Sequence, residues 1–398
     1  MAVTRWLNKL FLVVQLSIII LLPANSVAST PSTVKSKQSE NQHQSHITKQ
    51  NDKVQQPEAQ KSLLLWHGTD IIGLVTGSAA AGYSKPDSQS GSFNISNFNP
   101  LFLFSYKDLL LLQSSVNFEI DDLGNTAVSL DTLNLNWILT DYATFGIGKF
   151  DSSLGKFVPN LGPDWINKLP SAPVGFDGDE AAPQSEIGAQ FRGGFYLPRC
   201  LKINYVLFIA NGPIATADDQ GIVQQIHTDA YSTNDRGNFI GGGRIGIIPF
   251  PKFEIGVSAA LGKVAIFDNA SDLLDKRQDY NVLGADVSYK WNNWDLRGEY
   301  IQQEAHIDPN DLVFSGGIWR AWYAQVAYRF NSGHWEPVVR YGKFKTPFDD
   351  QNQQQFAFGI DYWLAPSLVL KFDYEFNEGL EDTSNDTNVL NLQLAFGF

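Results

Sequence analysis

The chain has 398 residues, 42 of them acidic and 29 basic, for a net charge of −13. That balance argues against nucleic acid as a partner, since such surfaces are basic. The single cysteine, Cys200, excludes an internal disulfide.

Residues 1–28 read as a secretory signal peptide. Arg5 and Lys9 give a basic start, residues 10–22 an apolar stretch, Pro23 a break, and Ser26-Val27-Ala28 a small-residue cleavage site. The stretch is 13 residues long, short of the roughly 20 that a spanning helix needs. Residues 29–62 are polar and low in complexity. They read as a flexible periplasmic arm, with a short assembly helix as the alternative. Residues 63–398 remain as one domain, and from Gly68 onward they alternate.

Leu110, Leu112, Val116 and Phe118 share one parity, with Gln113, Ser115, Asn117 and Glu119 on the other. Leu133, Leu135 and Trp137 alternate with Asn134 and Asn136, and Leu368, Leu370, Phe372 and Tyr374 with Lys371, Asp373 and Glu375. Period-two patterning predicts strands with one apolar face. The connections come in two alternating kinds. Short ones include Lys107-Asp108, Asp141-Tyr142 and Asn292-Asn293; long ones include residues 121–127, 151–183, 211–238 and 305–316. Seven short and eight long connections join 16 strands. An even count, with short turns at one end and long loops at the other, predicts an all-β fold: a 16-stranded antiparallel transmembrane β-barrel with short periplasmic turns and long extracellular loops. The bilayer enforces closure, because an open sheet edge in hydrocarbon leaves backbone groups unpaired.

Aromatic residues flank the short turns: Tyr106, Tyr142, Tyr196, Phe250, Phe253, Trp291, Trp294, Phe330, Trp335, Tyr362 and Trp363. They are expected as an interfacial girdle. The last residues, VLNLQLAFGF, put Leu390, Leu392, Leu394, Phe396 and Phe398 on the lipid face. This ending resembles the C-terminal signal of bacterial outer-membrane proteins, which the barrel-assembly machinery reads; Phe398 would carry that recognition.

A barrel of this size encloses an aqueous lumen, so inward positions should carry function. By parity these include Glu186, Gln190, Arg192, Arg244, Asp286, Asp295, Arg297, Glu299, Glu336, Arg340, Asp361, Lys371, Asp373 and Glu375. Many should pair across strands. The connection at 151–183 holds five prolines, Phe157, Trp165, Ile166 and Leu169, and an acidic cluster of Asp177, Asp179 and Glu180. Its apolar residues and prolines argue for order, and a loop of this length is usually functional. An enzyme is not expected: no Ser or Asp stands at motif spacing to the histidines. His227 and His306 with Asp218, Asp219 and Asp229 are a weak metal candidate, so no metal or other cofactor is expected.

Several stretches look familiar together: FNPLFLFSYKDLLLL (98–112), DYATFGIGKF (141–150), PDWINKLP (163–170), SEIGAQFRGGF (185–195), FIANGP (208–213) and YNVLGADVSYKWNNWDLRGEY (280–300). They resemble the phosphate-selective porin O and P family. The resemblance implies a homotrimeric sixteen-stranded porin of the Gram-negative outer membrane, set among outer-membrane lipid and lipopolysaccharide, with its third loop inserted into the barrel. Asp164, Lys168, Asp177, Asp179 and Glu180 on that loop would then line a constriction opposite Arg192, Arg244, Arg297 and Arg340 of the wall. The phosphate-selective members draw anions inward with arginines and lysines. Here residues 63–398 hold 22 basic against 39 acidic residues, a balance of −17. The expectation is therefore a passive channel for small hydrophilic solutes or ions. A phosphate- or anion-selective porin is the nearest alternative, and a non-conducting structural or adhesive barrel is the alternative of another class.

Overall fold

The computed structural model describes residues 63–67, 70–87, 89–120, 124–198, 201–218, 222–228, 237–267, 273–306, 316–348, 351–378 and 388–398. The expected signal peptide (1–28), the arm (29–62) and Cys200 lie outside the described residues.

A short strand, β1 (Leu63–His67), precedes the first seven strands of the wall: β2 (Ile71–Pro86), β3 (Ser92–Tyr106), β4 (Leu110–Ile120), β5 (Thr126–Thr140), β6 (Ala143–Asp151), β7 (Ser185–Tyr196) and β8 (Lys202–Asn211). A small hairpin follows, β9 (Ile214–Ala217) and β10 (Val223–His227). The wall continues through β11 (Phe239–Phe250), β12 (Phe253–Phe267), β13 (Leu273–Trp291), β14 (Trp294–Ala305), β15 (Gly317–Tyr328), β16 (Trp335–Lys345), β17 (Gln353–Ala365), β18 (Leu368–Glu378) and β19 (Val389–Gly397). Consecutive wall strands pair antiparallel, β8 pairs with β11, and β19 closes on β2 from Val389↔Pro86 to Gly397↔Ser78. Phe398 extends this seam by two 3.0 Å backbone hydrogen bonds with Gly77. Sixteen strands thus form a closed barrel, as the connection count expects.

Alternation explains the wall. In β14, Asp295, Arg297, Glu299, Ile301 and Gln303 are buried on the lumen side, while Trp294, Leu296 and Tyr300 are exposed on the other. The outward row continues around the barrel through Leu135, Ile147, Ile209, Val257, Leu283, Phe358, Leu370 and Leu394. In water a continuous apolar band of this extent would drive association; against hydrocarbon it is the matching surface. The tight turns carry left-handed residues at Lys107 (φ 51°), Lys252 (φ 70°) and Asn292 (φ 49°), as hairpins between right-twisted strands require.

Three features differ from the sequence expectation. First, β1 lies outside the alternating set. It pairs with β2 from Leu63↔Val75 to His67↔Ile72, on the same edge of β2 that β19 occupies from Ser78 to Pro86. Its LLLWH sequence does not alternate. Second, β9 pairs parallel with the outer end of β12, at Ala265↔Ile214 through Phe267↔Thr216. Third, Trp363 is not a girdle residue. It is buried facing the lumen, donates its ring N–H to Glu336 at 2.8 Å, and lies under the Arg329 guanidinium at 4.2 Å. It keeps the inward parity of Asp361, and the bulge between Trp363 and Ala365 comes only after it. Tyr106, Tyr142, Tyr196, Phe250, Trp291, Trp294, Phe330 and Trp335 are exposed as expected of the girdle.

The core of the molecule is the third connection, residues 152–184. It lies inside the barrel with one short helix, α1 (Phe157–Leu161). Phe157 and Phe176 meet edge to face at 6.0 Å, and Phe176 meets Tyr323 of β15 at 5.1 Å.

Candidate functional site

The inserted loop is fastened to one side of the barrel. At its start, Glu299 of β14 accepts the backbone N–H groups of Lys156 at 3.0 Å and Phe157 at 2.8 Å. These are donors that no helical turn can satisfy. Lys156 Nζ donates to Glu254 of β12 at 2.7 Å and to Ser288 of β13 at 2.6 Å. Further along, Lys168 pairs with Glu336 of β16 at 2.8 Å. Lys371 of β18 donates to the carbonyls of Asp164 and Asn167, the latter at 2.8 Å. Arg340 of β16 donates to the carbonyls of Ser171 (2.9 Å) and Ala172 (3.0 Å) and to the Ser171 hydroxyl at 2.7 Å. At the far end, Gln303 donates to the Glu180 carbonyl, and Asp179 accepts from the Thr228 N–H at 2.9 Å and lies 2.6 Å from His227 Nδ1. The loop therefore follows the wall from β12 to β18 and is tied to the β9–β10 hairpin.

This arrangement differs from the expected opposition of loop acids and wall arginines. Arg244 is held by Asp286 at 2.6 and 2.8 Å and by Glu254 at 2.9 Å. Arg297 is held by Asp295 at 2.8 and 2.9 Å. Arg192 donates to Asn136 at 3.0 Å. Arg340 does reach the loop, but through two backbone carbonyls and the Ser171 hydroxyl, not through an acid. The polarity is reversed for a physical reason: the wall itself supplies the carboxylates that hold Arg244 and Arg297. The loop then docks with its lysines on wall acids, Glu254 being shared with Arg244, and with its carbonyls on wall cations. Asp164 is buried beside Gln393, which donates to it at 3.2 Å, and burial raises its carboxyl above the usual range. Asp177 is exposed, and Glu180 accepts its N–H at 3.1 Å. Burial pushes the Glu180 carboxyl up to about 7.

Sequence reasoning missed Lys156 and Glu254, a buried ion pair between loop and wall. Alternation alone would have placed Glu254 inward with Gly256 and Ser258. Of the weak metal candidate, His227 is engaged by Asp179, Asp219 and Asp229 lie outside the described residues, and no cluster of three metal-type ligands occurs among the described residues.

Two cavities flank the loop. One, of about 490 Å³, lies between it and the outer ends of β17 and β18; Asp177, Glu180, Gln353, Gln355 and Glu378 line it. The other, of about 140 Å³, lies between α1 and the wall from β4 to β11; Thr132, Asn134, Gln190 and Arg192 line it.

No protein-family model and no curated protein matches the chain. Solved structures do. The outer-membrane channel DcaP of Acinetobacter baumannii aligns at a TM-score of 0.56 and 10% identity, over 84% of this chain and 100% of that one. The outer-membrane protein OmpT of Vibrio cholerae, as a loop-deletion variant, aligns at 0.55 and 11% identity over 83% and 100%. The anion-selective porin from Comamonas acidovorans aligns at 0.54 and 9% identity over 83% and 100%. At such identities the likeness is one of fold, and the chain has the sixteen-stranded barrel fold of outer-membrane porins.

Proposed function

We propose that the protein is an outer-membrane porin: a passive diffusion channel for small hydrophilic solutes or ions, without an enzymatic step. The observation that carries this reading is the inserted loop. It is pinned to one side of a closed barrel by Glu299, Lys156, Arg340 and Lys371. That leaves polar cavities beside it and an apolar band outside. A loop fastened to one wall narrows a lumen without filling it. The proposal extends to a homotrimer embedded in lipid and lipopolysaccharide, exported by its N-terminal segment and presented to the assembly machinery by Phe398. Phosphate selectivity finds no support in the pairing of Arg244 and Arg297, whose charges are already matched by carboxylates.

The test is planar-bilayer conductance of the purified, folded protein. Stable steps of ohmic current are expected. A folded barrel that inserts and passes no current would mean a non-conducting surface barrel instead.

A further inference from the structure

We infer that the cavity between α1 and the wall is a binding subsite for an uncharged polyhydroxylated solute, a polyol or a single sugar ring, on its way through the lumen. The inference rests on the channel reading and names its solute class.

The cavity's polar lining is mostly neutral. Gln113, Thr132, Asn134 and Gln190 come from the wall, Asn160 from the inserted loop and Asn204 from β8. An amide presents both donors and an acceptor, and a hydroxyl presents one donor and two lone pairs. Neighbouring hydroxyls on a carbon ring offer the same mixture, so such groups match each other without a charge. Two of these atoms are unsatisfied. Asn134 Oδ1 and Thr132 Oγ1 are buried and have no hydrogen-bond partner among the described residues, although Asn134 is 3% and Thr132 6% exposed. A buried polar atom left bare costs free energy, which favours a rotation of either side chain that turns the atom toward a hydroxyl in the cavity. Phe150, buried against Phe208 at 6.5 Å, adds an apolar surface to the lining, suited to the C–H face of a sugar ring.

On β6, Phe150 and Asp151 line the cavity, while Gly146 lets the neighbouring amides pack close to the wall. A methyl group on Gly146 would sit 3.1 Å from Asn134 Oδ1, Asn136 Oδ1 and Gln190 Cγ, so the amides lie flat over the glycine. The charged residues at the margin do not make this an anion site. Arg244 is fully engaged by Asp286 and Glu254. Arg192 donates to Asn136, and Lys202 and Asp151 line the same cavity with opposite charges.

The experiment uses single-channel current through the folded protein, titrated with sorbitol, glucose, gluconate and glucosamine. These share a six-carbon chain and differ in charge. Sorbitol and glucose are expected to lower the current saturably, beyond the proportional loss that viscosity causes. Gluconate and glucosamine are expected to do so more weakly. Asn134→Leu, alone and with Gln190→Leu, should weaken the half-saturation for sorbitol about tenfold, the scale of one or two hydrogen bonds, whatever the conductance each variant shows without solute. The wild-type titration stands without the variants if they do not fold. Current that falls only in proportion to viscosity overturns the subsite and leaves the channel intact. Tighter saturation by gluconate than by sorbitol overturns it in favour of an anion site at Arg192. Absence of any current removes the channel reading itself.

Discussion

The Glu299 carboxylate accepts the backbone N–H of Phe157 at 2.8 Å where the inserted loop meets the wall. The same carboxylate takes the N–H of Lys156 at 3.0 Å, so one wall side chain supplies both acceptors for the start of α1. Glu299→Ala leaves two buried donors bare, a loss of about 1–3 kcal/mol each before relaxation. The expected outcome is a barrel that still assembles, with a loosened loop, a higher single-channel conductance and more current noise. Glu299→Gln keeps one acceptor and should fall between. A Glu299→Ala channel indistinguishable from wild type would show that the loop is held elsewhere.

Gly155 is the residue that lets Glu299 come so close. Its φ is +116°, and a Cβ there would lie 2.0 Å from Glu299 Oε1. Gly155→Ala should therefore reproduce the conductance change of Glu299→Ala, with backbone strain added. Both substitutions act through one contact, so the double variant should fall short of the sum of the two singles. Full additivity in denaturant midpoints would separate the two residues.

How much of this was legible beforehand depends on the range of the interaction. Period-two alternation on β5, β14 and β18 reads directly from residues such as Leu133, Leu135 and Trp137, because the pleat enforces it locally. The tight turns at Asn292 and Lys107 read from spacing. The order of the third connection reads from Phe157, Ile166 and Leu169, all buried in the structure. Its docking does not. Lys156 and Glu254 are 98 positions apart, and nothing local couples them. Wall arginines were expected to seek loop acids, whereas Arg244 and Arg297 found nearer carboxylates on their own sheet. Trp363 had the position of a girdle residue beside a short turn, but it shares the inward parity of Asp361 and faces the lumen with it.

The Glu180 carboxyl gives the loop a pH dependence. Burial raises its pKa from 4.5 to about 7, so the protonated form is favoured in the folded loop. The stabilisation is fully present below pH 4.5 and is lost as the pH rises through about 7. Ionisation then places a second negative charge beside Asp177, whose N–H Glu180 accepts. Hydrogen exchange of amides 176–182, corrected for intrinsic rates, should accelerate across that window. Glu180→Gln should flatten the profile. A wild-type profile flat from pH 4 to 8 would remove Glu180 from this role.

Phe398 closes the seam with Gly77 and stacks on Phe98 at 6.1 Å and Phe396 at 5.9 Å. Deleting it removes two backbone hydrogen bonds and an aromatic contact at the point where β19 meets β2. Assembly should suffer more than from deletion of residues 29–62. The readout is the heat-modifiable fraction on a denaturing gel, since a closed barrel resists unfolding until boiled. Equal folded fractions for the Phe398 deletion and wild type would count against the prediction.

The last prediction concerns ions, and it follows from which charges remain unmatched. Arg244 and Arg297 are held by carboxylates within 3 Å, so they add little field to the lumen. Asp179 lies against His227 at 2.6 Å and is likewise shared. Asp177 is exposed on the larger cavity, with Glu180 and Glu378 on the same lining. A fixed negative charge at a narrow place concentrates cations, and salt screens it over about 8 Å at physiological ionic strength. The channel should lean weakly toward cations and show no preference for phosphate. The lean should fade as salt rises. Reversal potentials in a salt gradient test this for wild type, for Asp177→Asn, and for Asp177→Asn, Asp179→Asn and Glu180→Gln combined. Asp177→Asn alone should account for most of the change, because Asp179 is already paired. A clear anion preference in the wild type would instead make Arg192 or Arg340 the dominant charge and restore the anion-selective reading.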